Sequence, residues 1–182
     1  FQRTPNYSLP ARNAPLTPEF KKYAKEHAED IRKIMTSNTN GHGFYIEDKS
    51  ALDVPEAERV KDYEKKWEQG GFQFRALYRD ILTSAEANET AANFIRNKIK
   101  QVVKNPEVAE LLADIDHPFA AKRPPIDSHY FETYNRDNVS LVDIRKAPIE
   151  CITAQGIKTA DQEYPLDIIV FATGFDAMTG SL

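Results

Sequence analysis

The sequence predicts an α/β fold that is mainly helical. Residues 17–113 carry apolar side chains at three- and four-residue spacing, which is the period of amphipathic helices. After residue 113 the chain carries short β-branched runs separated by turn residues, and this pattern indicates strands. Residues 1–16 contain three prolines and no sustained period, so we expect the end of a strand followed by an ordered loop.

Capping and glycine signals divide the helical segment into five predicted helices. Thr17-Pro18-Glu19 offers a capping side chain, a proline at the first helical position and an acid in the first turn. Gly70-Gly71 ends the second helix, and Asn105-Pro106-Glu107 begins the last. The helices are predicted over about residues 17–36, 55–69, 72–83 and 86–104, with a short one after residue 105.

Several side chains that could bind ligands have a simpler structural interpretation. We expect Tyr63, Trp67 and Tyr78 to be core or interface anchors rather than stacking platforms. The single cysteine, Cys151, lies in a strand-like run, where a small buried hydrophobic side chain is expected. The four histidines show no metal-ligand spacing, so no metal site is predicted.

The β-rich part is predicted to contain a small hairpin and a buried strand. Asp127 could cap a short helix that extends to Tyr134. Strand-like runs follow at residues 139–142, 149–153, 157–159 and 166–172, with a turn at Gln155-Gly156. The last run is apolar and would need partner strands that the chain barely supplies. Since the chain also begins at a phenylalanine and ends soon after this run, we expect an internal fragment of a longer protein.

Composition disfavours some classes of partner. The formal charge is -4, and the basic residues are interleaved with acidic ones, which is untypical of a nucleic-acid-binding surface. No apolar run approaches the roughly 18 to 20 residues of a membrane span, and no signal-peptide pattern occurs. We therefore expect a soluble, cytoplasmic protein that binds neither nucleic acid nor membrane, of unknown oligomeric state.

Three stretches are candidate ligand-binding sites, and each has a plainer alternative. At a strand end in a dinucleotide-binding fold, Arg3 could pair with the extra phosphate of NADP, and the Thr4 hydroxyl could add a hydrogen bond. Lys122-Arg123 lies before two prolines and could meet a phosphate and a developing oxyanion. Thr173 and Gly174 follow the apolar run, where backbone can approach a ligand closely. The alternatives are a solvated charge, a surface basic pair and a simple turn.

Taken together, four stretches resemble the Baeyer-Villiger monooxygenases. The stretches are FQRTPNYSLPARNAPL at 1–16, NETAANFIRNKIKQVVKNPEVAELL at 88–112, KRPPIDSHYFETYNRDNVSLVDI at 122–144 and PLDIIVFATGFDAMTG at 165–180. ATGFD is also found in wider groups of flavin monooxygenases, including N-hydroxylating ones. The QRT and KR-P blocks with NRDNVSLVD narrow the resemblance to this family.

The resemblance implies an FAD- and NADPH-dependent enzyme that uses O2 to insert oxygen beside a ketone carbonyl, giving an ester or lactone. Arg3, Thr4 and Lys122 match positions that bind the 2′-phosphate of NADP, and Arg123 matches the active-site arginine. Thr173 and Gly174 match a segment near FAD. A guanidinium suits the catalytic position because it stays protonated and its planar fork of donors stabilises negative charge on oxygen.

The resemblance also implies domain boundaries. Residues 1–16 would be the end of a strand and a loop in a Rossmann-like NADP-binding domain, into which residues 17–113 are inserted as a helical domain. Residues 114–163 would complete the NADP-binding domain with short strands. Residues 164–182 would be a strand and linker that return to the FAD domain.

Two alternatives to this interpretation stay open. One is a flavin-containing monooxygenase that oxygenates nitrogen or sulfur, and the other is a non-enzymatic helical interaction module. No GxGxxG motif occurs in the chain, although the family needs two to bind the pyrophosphates of its cofactors. We therefore expect the isolated fragment to bind FAD and NADP weakly or not at all and to be inactive.

Overall fold

The computed structural model describes residues 5–38 and 41–172. Four of the predicted site residues, Arg3, Thr4, Thr173 and Gly174, lie outside the described residues. The helices are α1 (Pro18–Glu26), α2 (Ala28–Thr36), α3 (Glu56–Gln69), a 3-10 helix (Gly71–Ala76), α4 (Ala85–Val102), α5 (Pro106–Ala113) and α6 (Tyr130–Thr133). The strands are β1 (Leu9–Pro10), β2 (Ile126–Asp127), β3 (Ile149–Ile152), β4 (Gly156–Thr159) and β5 (Glu163–Pro165). The predicted α/β composition, mainly helical, is confirmed.

The helix predicted over residues 17–36 is two helices. Thr17 Oγ1 accepts a hydrogen bond from the backbone N of Phe20 at 3.1 Å, which confirms the predicted cap. His27 lies between α1 and α2 with φ -108° and ψ 19°, outside the helical region. Neither helix has a buried residue, and Phe20 and Tyr23 are about half exposed. These two helices therefore lie outside the core.

The core is formed around α3, α4 and α5, which begin and end close to their predicted bounds. Asn105 Oδ1 accepts hydrogen bonds from the backbone N of Glu107 and of Val108, which fixes the start of α5. The Tyr63 ring lies 5.2 Å from that of Phe74, centroid to centroid, and 5.3 Å from that of Phe94. Tyr63 and Tyr78 are each 1% exposed and Trp67 packs against the same cluster, so their predicted role as core anchors is confirmed.

The prediction of a helix over residues 72–83 is wrong after residue 76. The chain forms only the 3-10 helix there, followed by turns. The backbone here bonds instead to a segment about thirty residues earlier in the sequence. Glu47 N donates to Ala76 O and Arg79 N donates to Lys49 O, each at 3.0 Å. The Asp80 carboxylate adds an acceptor for the backbone N of Ala51 at 2.8 Å. These bonds replace those that a continuous helix would make.

Two small sheets complete the described structure. β1 and β2 pair in parallel, with Leu9 opposite Ile126. β3, β4 and β5 form an antiparallel sheet in that order. The β3–β4 hairpin closes with Thr153 N donating to Gly156 O at 2.9 Å, which confirms the predicted hairpin. Asp127 Oδ1 accepts from the backbone N of Tyr130, the first residue of α6, at 2.6 Å, although the N-cap position itself is held by His129 and not by Asp127 as predicted.

Three predictions for the β-rich part are wrong. Residues 139–142 form no strand, because they lie between two turns, closed by the bonds from Val139 N to Arg136 O and from Lys146 N to Asp143 O, and no described strand pairs with them. Residues 166–172 form no strand either, and Ile168 is 79% exposed, since no described strand pairs with this run beyond the bond from Leu166 N to Gln155 O. Cys151 lies in β3 as expected but is exposed, because β3 is an edge strand whose four residues are all exposed. In the described ranges, no helix has both the length and the apolar character needed to cross a bilayer.

Candidate functional site

The loop that leads to Lys122 and Arg123 is fastened to the helical core. Asn88 in α4 is buried, and its Nδ2 donates to the carbonyl of Phe119 at 2.9 Å while its Oδ1 accepts from the backbone N of Phe119 at 2.8 Å. Ala121 N then donates to Pro118 O in a turn, and Pro124 is buried. The backbone on both sides of the two cations is therefore fixed.

The segment that follows Arg3 and Thr4 in sequence lies directly beside this loop. Leu9 N donates to Pro125 O at 3.0 Å where β1 meets β2. Asn6 Nδ2 donates to the carbonyl of Arg123 at 3.1 Å, joining residues 117 positions apart. Residues from the two sides of the helical segment thus meet at the cation pair.

Tyr7 fixes the same junction to the helices. Its hydroxyl donates to the carbonyl of His117 at 2.9 Å and accepts a hydrogen bond from Arg96 Nη2 at 2.9 Å. Burial raises the pKa of Tyr7 above its usual value, against the opposing effect of the Arg96 charge. The phenol therefore stays neutral and keeps its donor, which holds the start of the chain against α4.

The Arg123 side chain projects as an exposed cation next to an aromatic ring. Its Cζ lies 5.8 Å from the centroid of Phe72, in the 3-10 helix. Within the described ranges no carboxylate lies at ion-pair distance from its guanidinium, in contrast to Arg96, which pairs with Glu89 at 2.9 Å. Lys122 is likewise exposed. Two adjacent side chains of positive charge thus face outward from a fixed backbone.

A second arginine shares the Phe72 ring. Arg75 Cζ lies 5.5 Å from the same centroid, and Arg75 Nη2 contacts His42 Nε2. Desolvation by burial and the Arg75 charge both lower the pKa of His42. His42 is therefore held in the neutral form, which can accept a hydrogen bond from the guanidinium.

One buried acceptor at this junction has no donor among the described residues. Asn6 Oδ1 is buried and unpaired, whereas the other atom of the same amide bonds to Arg123. Buried polar atoms are nearly always hydrogen-bonded in folded proteins, so this oxygen has room for a donor. Asn6 also lines a cavity of about 820 Å³, together with Tyr130, Phe131 and Leu141. Neither Lys122 nor Arg123 lines that cavity.

Sequence reasoning missed Asn6 and Phe72. Asn6 lies two positions after Thr4, so proximity to a candidate site was a usable signal. Phe72 follows Gly70-Gly71 in the helical segment, and no local pattern links it to Arg123. In the parts of the chain that the structure describes, no group of three or more His, Cys, Asp or Glu side chains is arranged to hold a metal ion.

Comparison with known proteins gives matches over the whole chain. No family model matches it. The 2-oxo-Delta(3)-4,5,5-trimethylcyclopentenylacetyl-CoA monooxygenase of Pseudomonas putida is 45% identical over 183 residues, which cover all of this chain and 34% of that protein. A Baeyer-Villiger monooxygenase of Pseudooceanicola batsensis is 40% identical over 185 residues, all of this chain and 33% of its own length. A phenazine N-monooxygenase of Lysobacter antibioticus is 40% identical, again over all of this chain and 34% of its own.

Solved structures match equally well. A crystal structure of OTEMO complexed with FAD and NADP superposes with a TM-score of 0.91 and 45% identity, over 99% of this chain and 34% of that one. An oxidized steroid monooxygenase bound to NADP has a TM-score of 0.91 and 47% identity, over 98% of this chain and 34% of its own. The chain spans about a third of the length of the curated relatives it matches.

Over its whole length the chain is therefore similar to about a third of the length of proteins named as monooxygenases, and one of the matching structures holds FAD and NADP. The resemblance to the Baeyer-Villiger monooxygenases that the sequence predicted is confirmed.

Proposed function

We propose that this chain is part of an FAD- and NADPH-dependent Baeyer-Villiger monooxygenase, which inserts one oxygen atom of O2 beside a ketone carbonyl and forms an ester or lactone. Homology over the full chain supports the class, and the 2-oxo group in the name of the Pseudomonas putida relative supports a ketone substrate. The observation that carries the proposal is the fixed cation pair Lys122-Arg123 beside the segment that follows Arg3 and Thr4.

The residues present fit a nucleotide with a 2′-phosphate. Arg3 and Thr4 directly precede Pro5 in the chain, and consecutive Cα atoms are about 3.8 Å apart. Asn6, which follows Thr4 by two residues in the sequence, contacts the carbonyl of Arg123. We assign the 2′-phosphate of NADP to Arg3, Thr4 and Lys122. Charge-assisted hydrogen bonds from a guanidinium, an ammonium and a hydroxyl are the donors that phosphate oxygens require.

Arg123 is assigned to the reacting centre. When bound and reduced by NADPH, FAD would activate O2 for transfer to the substrate. The Arg123 guanidinium stays protonated near neutral pH, and its planar fork can donate to the nicotinamide amide and to a negatively charged oxygen together. It is available for this because no described carboxylate neutralises it. A preorganised cation of this kind lowers the energy of the oxyanion formed on the attacked carbonyl.

The remaining parts of the chain are assigned to domains. Residues 1–16 and 114–163 contribute to a Rossmann-like NADP-binding domain, and residues 17–113 are a helical insertion in it. Residues 164–182 lead toward the FAD domain, with Thr173 and Gly174 near FAD. The parallel pairing of β1 with β2 supports this division, because it joins the two sides of the helical segment.

A second candidate keeps the cofactors but changes the atom that is oxygenated. The phenazine N-monooxygenase of Lysobacter antibioticus is as similar to this chain as the Baeyer-Villiger relative of Pseudooceanicola batsensis. In an N-oxygenating enzyme the same cation pair would bind NADP and stabilise charge on oxygen. The substrate alone would differ.

The two candidates are separated by assaying the full-length enzyme with NADPH, 18O2 and a panel of a cyclic ketone, a tertiary amine and a sulfide. We expect ketone-dependent NADPH oxidation and one 18O atom in an ester or lactone. Arg123→Ala should abolish ester formation. Turnover with the amine alone, giving a labelled N-oxide, would contradict the proposal and favour the second candidate.

A further inference from the structure

We propose that Phe72, in the helical segment, is a positioning residue for the guanidinium of Arg123. The inference rests on the proposed function of Arg123 and adds the group that orients it. The Arg123 Cζ atom lies 5.8 Å from the centroid of the Phe72 ring. That distance falls within the range in which the negative face of an aromatic ring attracts a cation.

The Phe72 ring is itself held in place. In a 3-10 helix residues three apart lie one above the other, so Phe72 and Arg75 share one side and Phe74 points elsewhere. Phe74 is 1% exposed in the aromatic core, and Phe72 packs against that core. The orientation of the Phe72 ring is therefore determined by the helix and by the core, and not by Arg123.

The 3-10 helix is in turn pressed against β1. Gly70 has φ +70°, and a Cβ atom at this position would lie 2.5 Å from the carbonyl oxygen of Pro10. Arg12 Nε donates to the carbonyl of Glu68 at 3.0 Å, next to the same glycine. β1 pairs with β2, which follows Arg123 by three residues. These contacts connect the 3-10 helix that contains Phe72 to β1, and they connect β1 to the strand that follows Arg123.

Arg123 needs such an external support. Its backbone is fixed by Asn6, but its long side chain has no hydrogen bond or ion pair to the other residues that the structure describes. A free arginine side chain loses rotamer entropy when it is fixed. A ring that restricts the guanidinium before the ligand binds removes part of that cost, and for this reason Phe72 should affect ligand binding as well as turnover.

The test uses the full-length enzyme with four variants, Phe72→Leu, Phe72→Met, Phe72→Tyr and the control Phe44→Leu. Phe44 is a partly buried aromatic residue nearby whose ring stacks on His42, 4.7 Å between centroids. Leu and Met remove the ring, and Met keeps a flexible side chain of similar length should Leu impair folding. Tyr retains the aromatic face.

We expect Phe72→Leu and Phe72→Met to weaken NADP+ binding by about two- to fivefold, the loss of a cation–π contact at an exposed site. Ester formation should fall by a similar factor, with more NADPH consumed without product. Phe72→Tyr should restore both values, and Phe44→Leu should match the wild type. In an Arg123→Ala background, Phe72→Leu should not weaken NADP+ binding further.

Equal effects of Phe72→Leu and Phe44→Leu would overturn the inference. So would a Phe72→Leu effect on NADP+ binding that persists unchanged in the Arg123→Ala background, because the ring would then act independently of Arg123. Failure of the proposed function gives a different result. In that case Arg123→Ala would keep ketone oxygenation, whatever the Phe72 variants do.

Discussion

Asn88 is a buried polar side chain whose amide serves two parts of the chain at once. Its Nδ2 donates to the carbonyls of Ile81 and Phe119, and its Oδ1 accepts from the backbone N of Phe119. The residue is 7% exposed, so water cannot replace these partners at low cost. One side chain in α4 therefore sets the position of the loop that precedes Lys122.

Asn88→Ala should lower the free energy of unfolding by about 3 kcal/mol, because it leaves buried backbone groups of Ile81 and Phe119 without partners. Urea denaturation measures the loss. The control is Asn97→Ala, an exposed asparagine in the same helix, which should change the free energy by less than about 0.5 kcal/mol. Similar losses in both variants would contradict the role given to the Asn88 amide.

Tyr63 should make stability depend on alkaline pH. Burial raises the pKa of Tyr63 to about 12, whereas an unfolded tyrosine titrates near 10. The folded state holds the Tyr63 proton more tightly than the unfolded state does. The resulting contribution to the free energy of unfolding is fully present below pH 10 and is lost as pH rises from about 10 to 12.

Unfolding free energies measured between pH 9 and 12 should therefore fall less steeply for Tyr63→Phe than for the wild type. Tyr23→Phe is the control, because Tyr23 is 53% exposed and should leave the slope unchanged. Parallel curves for Tyr63→Phe and the wild type would show that the buried phenol does not contribute.

For single residues, the sequence predicted the structural role of large aromatic side chains. It did not predict which distant residues a side chain contacts. Tyr63 and Tyr78 were predicted as core anchors because large aromatic side chains at helical spacing are usually buried. The contact of Asn6 with Arg123 joins positions too far apart for any local pattern to show. Cys151 was placed in its strand correctly, but burial depends on what covers a strand, and β3 is uncovered.

Among the helices and strands, the 3-10 helix Gly71–Ala76 matters most for the site, because it contains Phe72. Gly70 and Gly71 both have positive φ, +70° and +67°. They differ in their surroundings, since a Cβ on Gly70 would meet the Pro10 carbonyl at 2.5 Å, and one on Gly71 would meet nothing within 4 Å. Backbone strain therefore disfavours a side chain at both positions, and steric exclusion by Pro10 adds to it only at Gly70.

Gly71→Ala should lower the free energy of unfolding by about 1 to 2 kcal/mol, because a residue with a side chain is strained at positive φ. Gly70→Ala should cost about 1 to 3 kcal/mol more, because β1 would have to move away from the 3-10 helix. Denaturant unfolding of the two variants gives both values. Equal losses would mean that the close approach of Pro10 contributes nothing.

Helices α3, α4 and α5 were predictable because their signals are local. Ser84 and Asn105 cap their helices with side-chain oxygens, and Gly70 ends α3. Residues 76–79 were not predictable, since their backbone bonds run to residues 47–49. The apolar run 166–172 shows the same limit, because a strand exists only where another strand pairs with it.

For the molecule as a whole, the parallel pairing of β1 with β2 is the contact that organises the site. It closes a loop of more than a hundred residues and brings Asn6 to Arg123, with the helical segment between them. Residue patterns predicted the α/β composition and the hairpin. The meeting of the two sides of the helical segment was predicted only through the resemblance to a family, since spacing in one sequence carries no information about long-range pairing.

The proposed function gives Lys122 the 2′-phosphate of NADP and gives Arg123 the reacting centre, and nucleotide binding to the full-length enzyme tests this assignment most directly. Dissociation constants for NADP+ and NAD+ are measured for the wild type, Lys122→Ala and Arg123→Ala. Lys122→Ala should weaken NADP+ about tenfold or more and leave NAD+ unchanged, because NAD+ lacks the 2′-phosphate. Arg123→Ala should weaken both nucleotides by a similar factor. Equal weakening of NADP+ and NAD+ by Lys122→Ala would contradict the assignment of the 2′-phosphate to Lys122.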